Sequence, residues 1–158
     1  MPDLTHVDNT GAARMVDVSK KPATERLARA SGVITMAPAT LQAIRDNTLK
    51  KGDVLGVSRV AGIMAAKRTA ELIPLCHQLP LADIQIDLTL DDSIPGVRAE
   101  STVVTVASTG VEMEAIVAVS VALITIYDMV KGVDKGTIIG EICLNEKRGG
   151  RSGHYIRP

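Results

Sequence analysis

Residues 83–90 alternate strictly between polar and apolar side chains, and this run constrains the fold more than any other part of the chain. Such alternation is typical of a strand with one buried face. Residues 91–96 follow with the Asp, Ser, Pro and Gly composition of a turn, and residues 97–107 are rich in Val and Thr. The segment from 83 to 107 therefore predicts an antiparallel hairpin.

The elements predicted around this hairpin extend it into a longer pattern of strands and helices. Asp53 is a good N-cap for a long helix, and Thr109 and Glu112 have the spacing of a capping box for another. In chain order we predict a strand over 24–36, helices over 39–46 and 53–72, the hairpin, a helix over 112–130 and a strand over 137–144. This order predicts an α+β fold of the ferredoxin-like, split βαβ type, with an antiparallel sheet and the helices on one face. A further short strand is expected over 15–18.

Residues 115–126 are apolar on nearly every side of the predicted helix. Such a helix has to be buried on several sides, and one sheet face covers only one of them. We therefore expect a second subunit to cover the remainder, which makes the protein a homo-oligomer. The run is shorter than the ~20 residues that a membrane-spanning helix needs, and acidic residues bracket it, so no membrane partner is expected.

The composition limits the classes of function. The chain is 46% hydrophobic but only 1% aromatic, so its core has to be aliphatic. Its 18 basic and 18 acidic residues balance, whereas a general nucleic-acid binder usually carries a basic excess and stacking aromatic residues. That class is set aside. The 2 cysteines stand far apart without metal-ligand spacing, so no metal site is expected.

The length of 158 residues fits one domain. We predict a polar, partly mobile extension over 1–22 and a single ferredoxin-like domain over 23–158. The N-terminus lacks the basic and then apolar layout of a signal peptide. The expected location is therefore the cytoplasm.

Two acidic residues and a lysine share one face of the predicted helix over 112–130. Asp128 and Lys131 lie three residues apart, and Glu114 precedes Asp128 by about four helical turns. Carboxylates and a lysine in line can act as general acid and base. The alternative is a solvated surface ion pair that contributes little.

Three further side chains have both a functional and a structural interpretation. His77 follows a predicted helix in an apolar loop, where it could move a proton or simply bond to a backbone carbonyl. Glu112 could serve only the capping box. Lys67 could pair with Glu71, four residues further along the helix.

Positive charge is concentrated beside glycines at 50–52 and 147–153, and Arg26 adds a cation on a predicted strand. Glycines let the backbone approach an anion closely, and cations neutralise phosphates. Neither segment has the spacing of a P-loop, and the second could be only a flexible basic tail. Together with the carboxylates and the histidine, these residues indicate a phosphorylated small molecule and proton-transfer chemistry.

Several short segments are more specific than any of these spacings. They are LTH at 4–6, MVDV at 15–18, KGDV at 51–54, AGIMAAKRT at 61–69, LIPLCH at 72–77, TGVEMEA at 109–115 and LITIYDMVK at 123–131. Together they closely resemble the MoaC family of cyclic pyranopterin monophosphate synthases, across essentially the whole chain. The resemblance implies a ferredoxin-like fold assembled as a homohexamer, a trimer of dimers, with active sites at the dimer interface.

The resemblance implies a lyase of molybdenum cofactor (molybdopterin) biosynthesis. A partner radical enzyme supplies 3',8-cyclo-7,8-dihydroguanosine triphosphate, a GTP derivative. The family rearranges it to the pterin cyclic pyranopterin monophosphate (precursor Z) and releases pyrophosphate. No redox step remains, so no cofactor is expected, although the substrate triphosphate could carry Mg²⁺. The alternative is a non-catalytic nucleotide-binding sensor, which needs cations but no acid and base.

The resemblance also assigns roles to individual residues. Asp128, Lys131 and Lys51 match catalytic positions. Substrate-binding positions are matched by Leu75, Cys76, His77, Glu112, Met113, Glu114, Lys67, Arg26 and Lys147. Two positions depart from the family pattern: Gln78 stands where the family has Pro, which loosens the loop of His77, and Arg151 replaces a Lys while keeping its positive charge.

Overall fold

The computed structural model describes residues 6–158, in which five strands form one antiparallel sheet. The strands are β1 (Thr24–Thr35), β2 (Leu81–Asp91), β3 (Gly96–Ala107), β4 (Ile138–Arg148) and β5 (Tyr155–Ile156), in the order β2-β3-β1-β4-β5. The helices are α1 (Pro38–Arg45), α2 (Val54–Lys67), α3 (Thr69–Leu72) and α4 (Glu112–Val130). Residues 1–5, which include part of the LTH segment, lie outside the described residues.

The strand order confirms the α+β prediction and is consistent with the ferredoxin-like plan. β3 lies between β1 and β2, and β1 lies between β3 and β4, each pair running antiparallel. α1 to α3 therefore connect β1 with β2, and α4 connects β3 with β4, as in a split βαβ unit. The predicted hairpin is present as β2 and β3.

The core lies between the sheet and the helices. Ala28, Ala30 and Ile34 alternate along β1 with their side chains buried, and they belong to the same cluster as the buried residues of α1, α2 and α4. The small residues of β1 let α4 approach closely. At Gly32, for example, an added Cβ would lie 2.8 Å from Leu123 Cδ1. The helices therefore cover one face of the sheet, as predicted.

α4 is covered on two sides by its own chain, and half of its apolar stretch remains outside the core, so coverage by a second subunit stays a prediction. The sheet covers one side, and α2 packs along another. At Gly62 of α2, an added Cβ would lie 2.9 Å from the Ala118 carbonyl oxygen of α4. The sequence argument counted only the sheet and omitted α2. With 19 residues, α4 is the one helix within 6–158 that has the length and apolar composition to cross a membrane, and half of that stretch is buried inside the protein.

The helix boundaries differ from the prediction in two places. The helix predicted over 53–72 breaks at Arg68 into α2 and α3, and Thr69 Oγ1 donates to the carbonyls of Ala65 and Ala66 at 3.3 and 3.0 Å. Asp53 caps α2 as predicted, accepting from the Gly56 N–H at 2.9 Å. The capping box is wrong, because α4 begins after Val111 with no side-chain cap.

The predicted strand over 15–18 is also wrong. Before β1, the described residues form only an isolated antiparallel bridge between Val7 and Ala13. In contrast, β4 extends beyond the predicted 137–144, and the basic tail returns as β5, where Tyr155 pairs with Lys147. The predicted domain division at residue 22 and the mobility of 1–22 stay predictions.

Candidate active site

Asp128 forms an ion-pair cluster with two lysines at the C-terminal end of α4. Lys131 Nζ lies 2.7 Å from Asp128 Oδ1, and Lys51 Nζ lies 2.9 Å from Oδ2. Lys51 Nζ also donates to the Asp128 backbone carbonyl at 2.7 Å. The turn before α2 therefore brings Lys51 to the pair that the spacing predicted on α4. All three side chains are about half exposed, so the cluster faces outward.

The charges of this cluster are fixed by its hydrogen bonds. Bonds from Lys131 and Lys51, followed by the charges of these two lysines, lower the pKa of Asp128 to about 2. The bond to Asp128 in turn raises the pKa of Lys131. At neutral pH, Asp128 is therefore a carboxylate and Lys131 an ammonium. The pair offers a fixed proton donor and a charge that orients it.

A cavity of about 420 Å³ lies at the other end of α4. It collects the loop after α3 and the first turn of α4, so six of the predicted substrate-binding residues line it: Leu75, Cys76, His77, Glu112, Met113 and Glu114. These residues come from two segments far apart in the sequence, and the structure places them around one space, as the resemblance implied.

Glu114 is the buried charge of this cavity, with 4% of its surface exposed. Burial, and then the charge of Glu112, raises the pKa of Glu114. Burial and the two neighbouring carboxylates also raise the pKa of the Cys76 thiol. Cys76 therefore stays protonated at neutral pH and packs as a weakly polar wall of the cavity rather than acting as a thiolate nucleophile.

His77 is held by a backbone carbonyl. Its Nε2 lies 2.7 Å from the Val16 carbonyl oxygen, which can only accept a hydrogen bond. Nε2 therefore carries a proton, and in the neutral ring Nδ1 is the acceptor. The structural alternative for His77 is thus present, and it does not exclude the functional one, since Nδ1 is left for a ligand.

A second cavity of about 560 Å³ adjoins the first and is rich in cations. Arg26, Lys147 and Arg151 line it. Lys147 forms an ion pair with Glu112, so Glu112 serves this bridge rather than a capping box. Arg26 Nε is buried and has no hydrogen-bond partner among residues 6–158. A buried donor without a partner is costly. This nitrogen does not itself face the cavity, to which Arg26 contributes other atoms of its side chain.

Two glycines make room for the guanidinium of Arg26. Gly149 and Gly150 have φ of +99° and +78°, a region that other residues rarely adopt. A Cβ on Gly150 would also collide with the Arg26 guanidinium. The glycine-rich segment therefore forms a wall of the cationic cavity, which supports its functional interpretation.

Lys67 and Gln78 lie close to the loop of His77. Together with His77 and Glu114 they line a small pocket of about 10 Å³. Lys67 makes no ion pair with Glu71 in the part of the chain that the structure describes, so the simple helical pairing is wrong. The structure thus places Lys67 close to the His77 and Glu114 end of the molecule.

The two halves of the predicted site are far apart within one chain. Glu114 and Asp128 lie at opposite ends of α4, and fourteen residues of helix at about 1.5 Å each separate them by roughly 21 Å. The prediction that these two acids point the same way overlooked this distance. One subunit therefore brings the two cavities together but leaves the Asp128 cluster apart from them.

The sequence analysis missed three residues that line both cavities: Lys21, Thr109 and Gly110. Lys21 lies in a polar segment without periodicity, and only its position soon after the MVDV segment could have drawn attention to it. No group of three or more His, Cys, Asp or Glu side chains within 6–158 is arranged to hold a metal ion.

Together, the fold and the site define a small α+β protein with a two-part cleft, one part of which is cationic, and a separate, exposed carboxylate and lysine cluster. The chain belongs to the MoaC family, whose model matches residues 15–150. A protein of Methylobacterium nodulans named cyclic pyranopterin monophosphate synthase is 59% identical over 155 residues, covering 98% of this chain and 97% of the relative. Proteins of the same name from Parvibaculum lavamentivorans and Thermomicrobium roseum are 57% and 55% identical, covering 96% and 99% of this chain and 95% of each relative.

Proposed function

We propose that this protein is a cyclic pyranopterin monophosphate synthase of molybdenum cofactor biosynthesis. It would act as a lyase that converts 3',8-cyclo-7,8-dihydroguanosine triphosphate into cyclic pyranopterin monophosphate and pyrophosphate. The name shared by relatives over nearly the full chain supports this activity. The observation that carries it is the two-part cleft, since one part has more cations than carboxylates and the other combines a histidine with a buried carboxylate.

In this proposal the triphosphate occupies the cationic cavity. The Arg26 guanidinium and the Lys147 ammonium supply charged donors there, and Arg151 adds a second guanidinium in place of the usual lysine. Phosphate oxygens form strong, short hydrogen bonds with such groups. The fused ring of the substrate then occupies the smaller cavity, where Glu114 and His77 Nδ1 provide acceptors for its N–H groups.

Proton transfers are assigned to the Asp128 cluster. Ring opening and closure move protons between ring nitrogens and hydroxyls, and no electron transfer is involved. Formation of the cyclic phosphate joins the oxygen of a substrate hydroxyl to the α-phosphorus and breaks the bond from that phosphorus to the oxygen that bridges to the β-phosphate. Pyrophosphate leaves, and in the overall balance it takes up the proton that the hydroxyl loses. The Lys131 ammonium can donate a proton to a leaving atom, while the ionised Asp128 fixes Lys131 and Lys51 in place.

This assignment needs two subunits, because about 21 Å separates Glu114 from Asp128 within one chain. We therefore place the active site at a dimer interface, with the cleft of one subunit facing the Asp128 cluster of its partner. A homohexamer built as a trimer of dimers would contain six such sites. The Asp128 cluster is about half exposed in the single chain, and this exposure supports an interface at that end of α4.

The remaining elements of the proposal follow from the reaction. The substrate comes from a separate radical enzyme, so the protein works in the cytoplasm beside it. It needs no redox cofactor, and Mg²⁺ enters only with the triphosphate. Neither a nucleic acid nor a membrane takes part.

The proposal is tested by supplying the purified protein with the cyclised GTP derivative and measuring pyranopterin and pyrophosphate. We expect stoichiometric formation of both by the wild-type protein, and none by Asp128→Asn. Asp92→Asn is the matched control, because Asp92 is an exposed aspartate whose ion pair within residues 6–158 is with Arg45 alone. Tight binding of the substrate by the wild-type protein without any product would refute the lyase and favour the nucleotide sensor.

A further inference from the structure

The two cavities meet at a junction that carries one unneutralised cation. Four residues line both spaces: Lys21, Thr109, Gly110 and Glu112. Of the two charged members, Glu112 is already paired with Lys147. Lys21 has no ion pair among residues 6–158, so its charge remains available to a ligand that passes from one cavity into the other.

The chain holds Lys21 at this junction by several local bonds. The Lys21 N–H donates to the Val18 carbonyl at 3.0 Å, which closes a turn. Asp17 accepts from the Ser19 N–H at 2.9 Å within that turn. Upstream, the Val16 carbonyl is anchored by His77 at 2.7 Å, and Pro22 restricts the backbone of Lys21 itself. The backbone of residues 16–22 is therefore held in place by these contacts, although the side chain of Lys21 is exposed.

We propose that Lys21 is a substrate-binding residue whose ammonium binds the phosphate group nearest the sugar of a nucleotide-like ligand. The inference rests on the proposed function, because it takes the triphosphate to lie in the cationic cavity and the ring in the other. The group that joins these two parts has to cross the junction, and in a nucleoside triphosphate that group is the α-phosphate. An ammonium there attracts the phosphate oxygens and stabilises the charge that grows on them as pyrophosphate leaves.

The test compares Lys21→Met with Lys21→Arg and with the control Lys20→Met. Lys20 is the adjacent exposed lysine, and it lines neither cavity. We expect Lys21→Met to raise KM for the cyclised GTP derivative about 10- to 100-fold, as the loss of a hydrogen bond to a charged group implies. Lys21→Arg should recover most of this loss, and Lys20→Met should resemble the wild type.

A second measurement separates this inference from the proposed function. Inorganic tripolyphosphate is titrated into each protein by calorimetry, so that binding is read without turnover. If Lys21→Met alone binds tripolyphosphate about 10- to 100-fold more weakly, the inference is supported. This holds even if the wild type makes no product, because the missing product would refute only the lyase. Equal binding and equal KM in Lys21→Met and wild type would overturn the inference, and so would an equal loss in Lys20→Met, which would show a general effect of charge.

Discussion

Two variants that are each inactive should restore activity when their subunits are mixed in one oligomer. Asp128→Asn removes the carboxylate that holds Lys51 and Lys131, and Glu112→Gln removes the partner of Lys147. Glu112 and Asp128 are separated by sixteen residues of one helix, or roughly 24 Å at about 1.5 Å per residue. No side chain spans this distance, so a site that needs both residues takes them from different subunits.

The expected recovery follows from counting subunits. In an oligomer mixed at random from equal amounts, a site is intact when one chosen subunit supplies Asp128 and its neighbour supplies Glu112. Each condition holds for half of the subunits, so about a quarter of the sites are intact in any symmetric oligomer with sites between two chains. If one chain supplied both residues, every site would carry a defect and no activity would return.

The assay uses co-expression of the two variants at equal levels. Native mass spectrometry confirms that single oligomers contain both chains, and released pyrophosphate gives the turnover per subunit. Each variant expressed alone sets the background. Activity no higher than this background, in oligomers shown to be mixed, would refute the interface site and require Asp128 and Glu112 to act independently.

Two further predictions concern the cleft. Because burial raises the pKa of Glu114, its neutral form is favoured in the folded state, so its contribution to stability is greatest below the ordinary carboxyl range and falls as pH rises. Glu114→Gln should therefore abolish turnover while raising the melting temperature at pH 7.5, with a smaller difference near pH 4.5, and calorimetry that finds no difference at either pH would contradict this. Gly150→Ala should lose about 1–2 kcal/mol of folding free energy through its positive φ and should also weaken substrate binding by displacing Arg26. Gly153→Ala, also at positive φ but in open space, should lose stability with an unchanged KM, and equal KM values for the two variants would count against a role for Arg26.

The elements that the sequence predicted well are those with a long regular pattern. The polar and apolar alternation over 83–90 extends over several residue pairs, and the apolar run over 115–126 extends over several helical turns. In both, the pattern of burial determines the type of secondary structure. The elements that were predicted wrongly depend on distant contacts. In the segment at 15–18, the Val16 carbonyl is hydrogen-bonded to His77 rather than to a neighbouring strand. β5 has only two residues, which are too few to show any periodicity.

The candidate site divides in the same way. Asp128 and Lys131 could be paired from their spacing alone, because helical geometry places residues three apart on one face. Lys51 and Lys147 could not, since each reaches its carboxylate only through the tertiary fold, across 77 residues for Lys51 and Asp128. The same limit hid the distance between Glu114 and Asp128, because angular periodicity says which face a residue occupies and nothing about its position along the axis.

α4 explains why the site has this division. Its two glutamates lie in the first turn, near the positive end of the helix dipole, and Lys131 lies just past the last turn, near the negative end. The apolar residues between them fill the core, so neither charged end can move toward the other. In the proposed dimer a two-fold axis would bring the start of one α4 opposite the end of its partner's, and the same axis would form an identical second site. A rigid core helix would then set the spacing of both active sites.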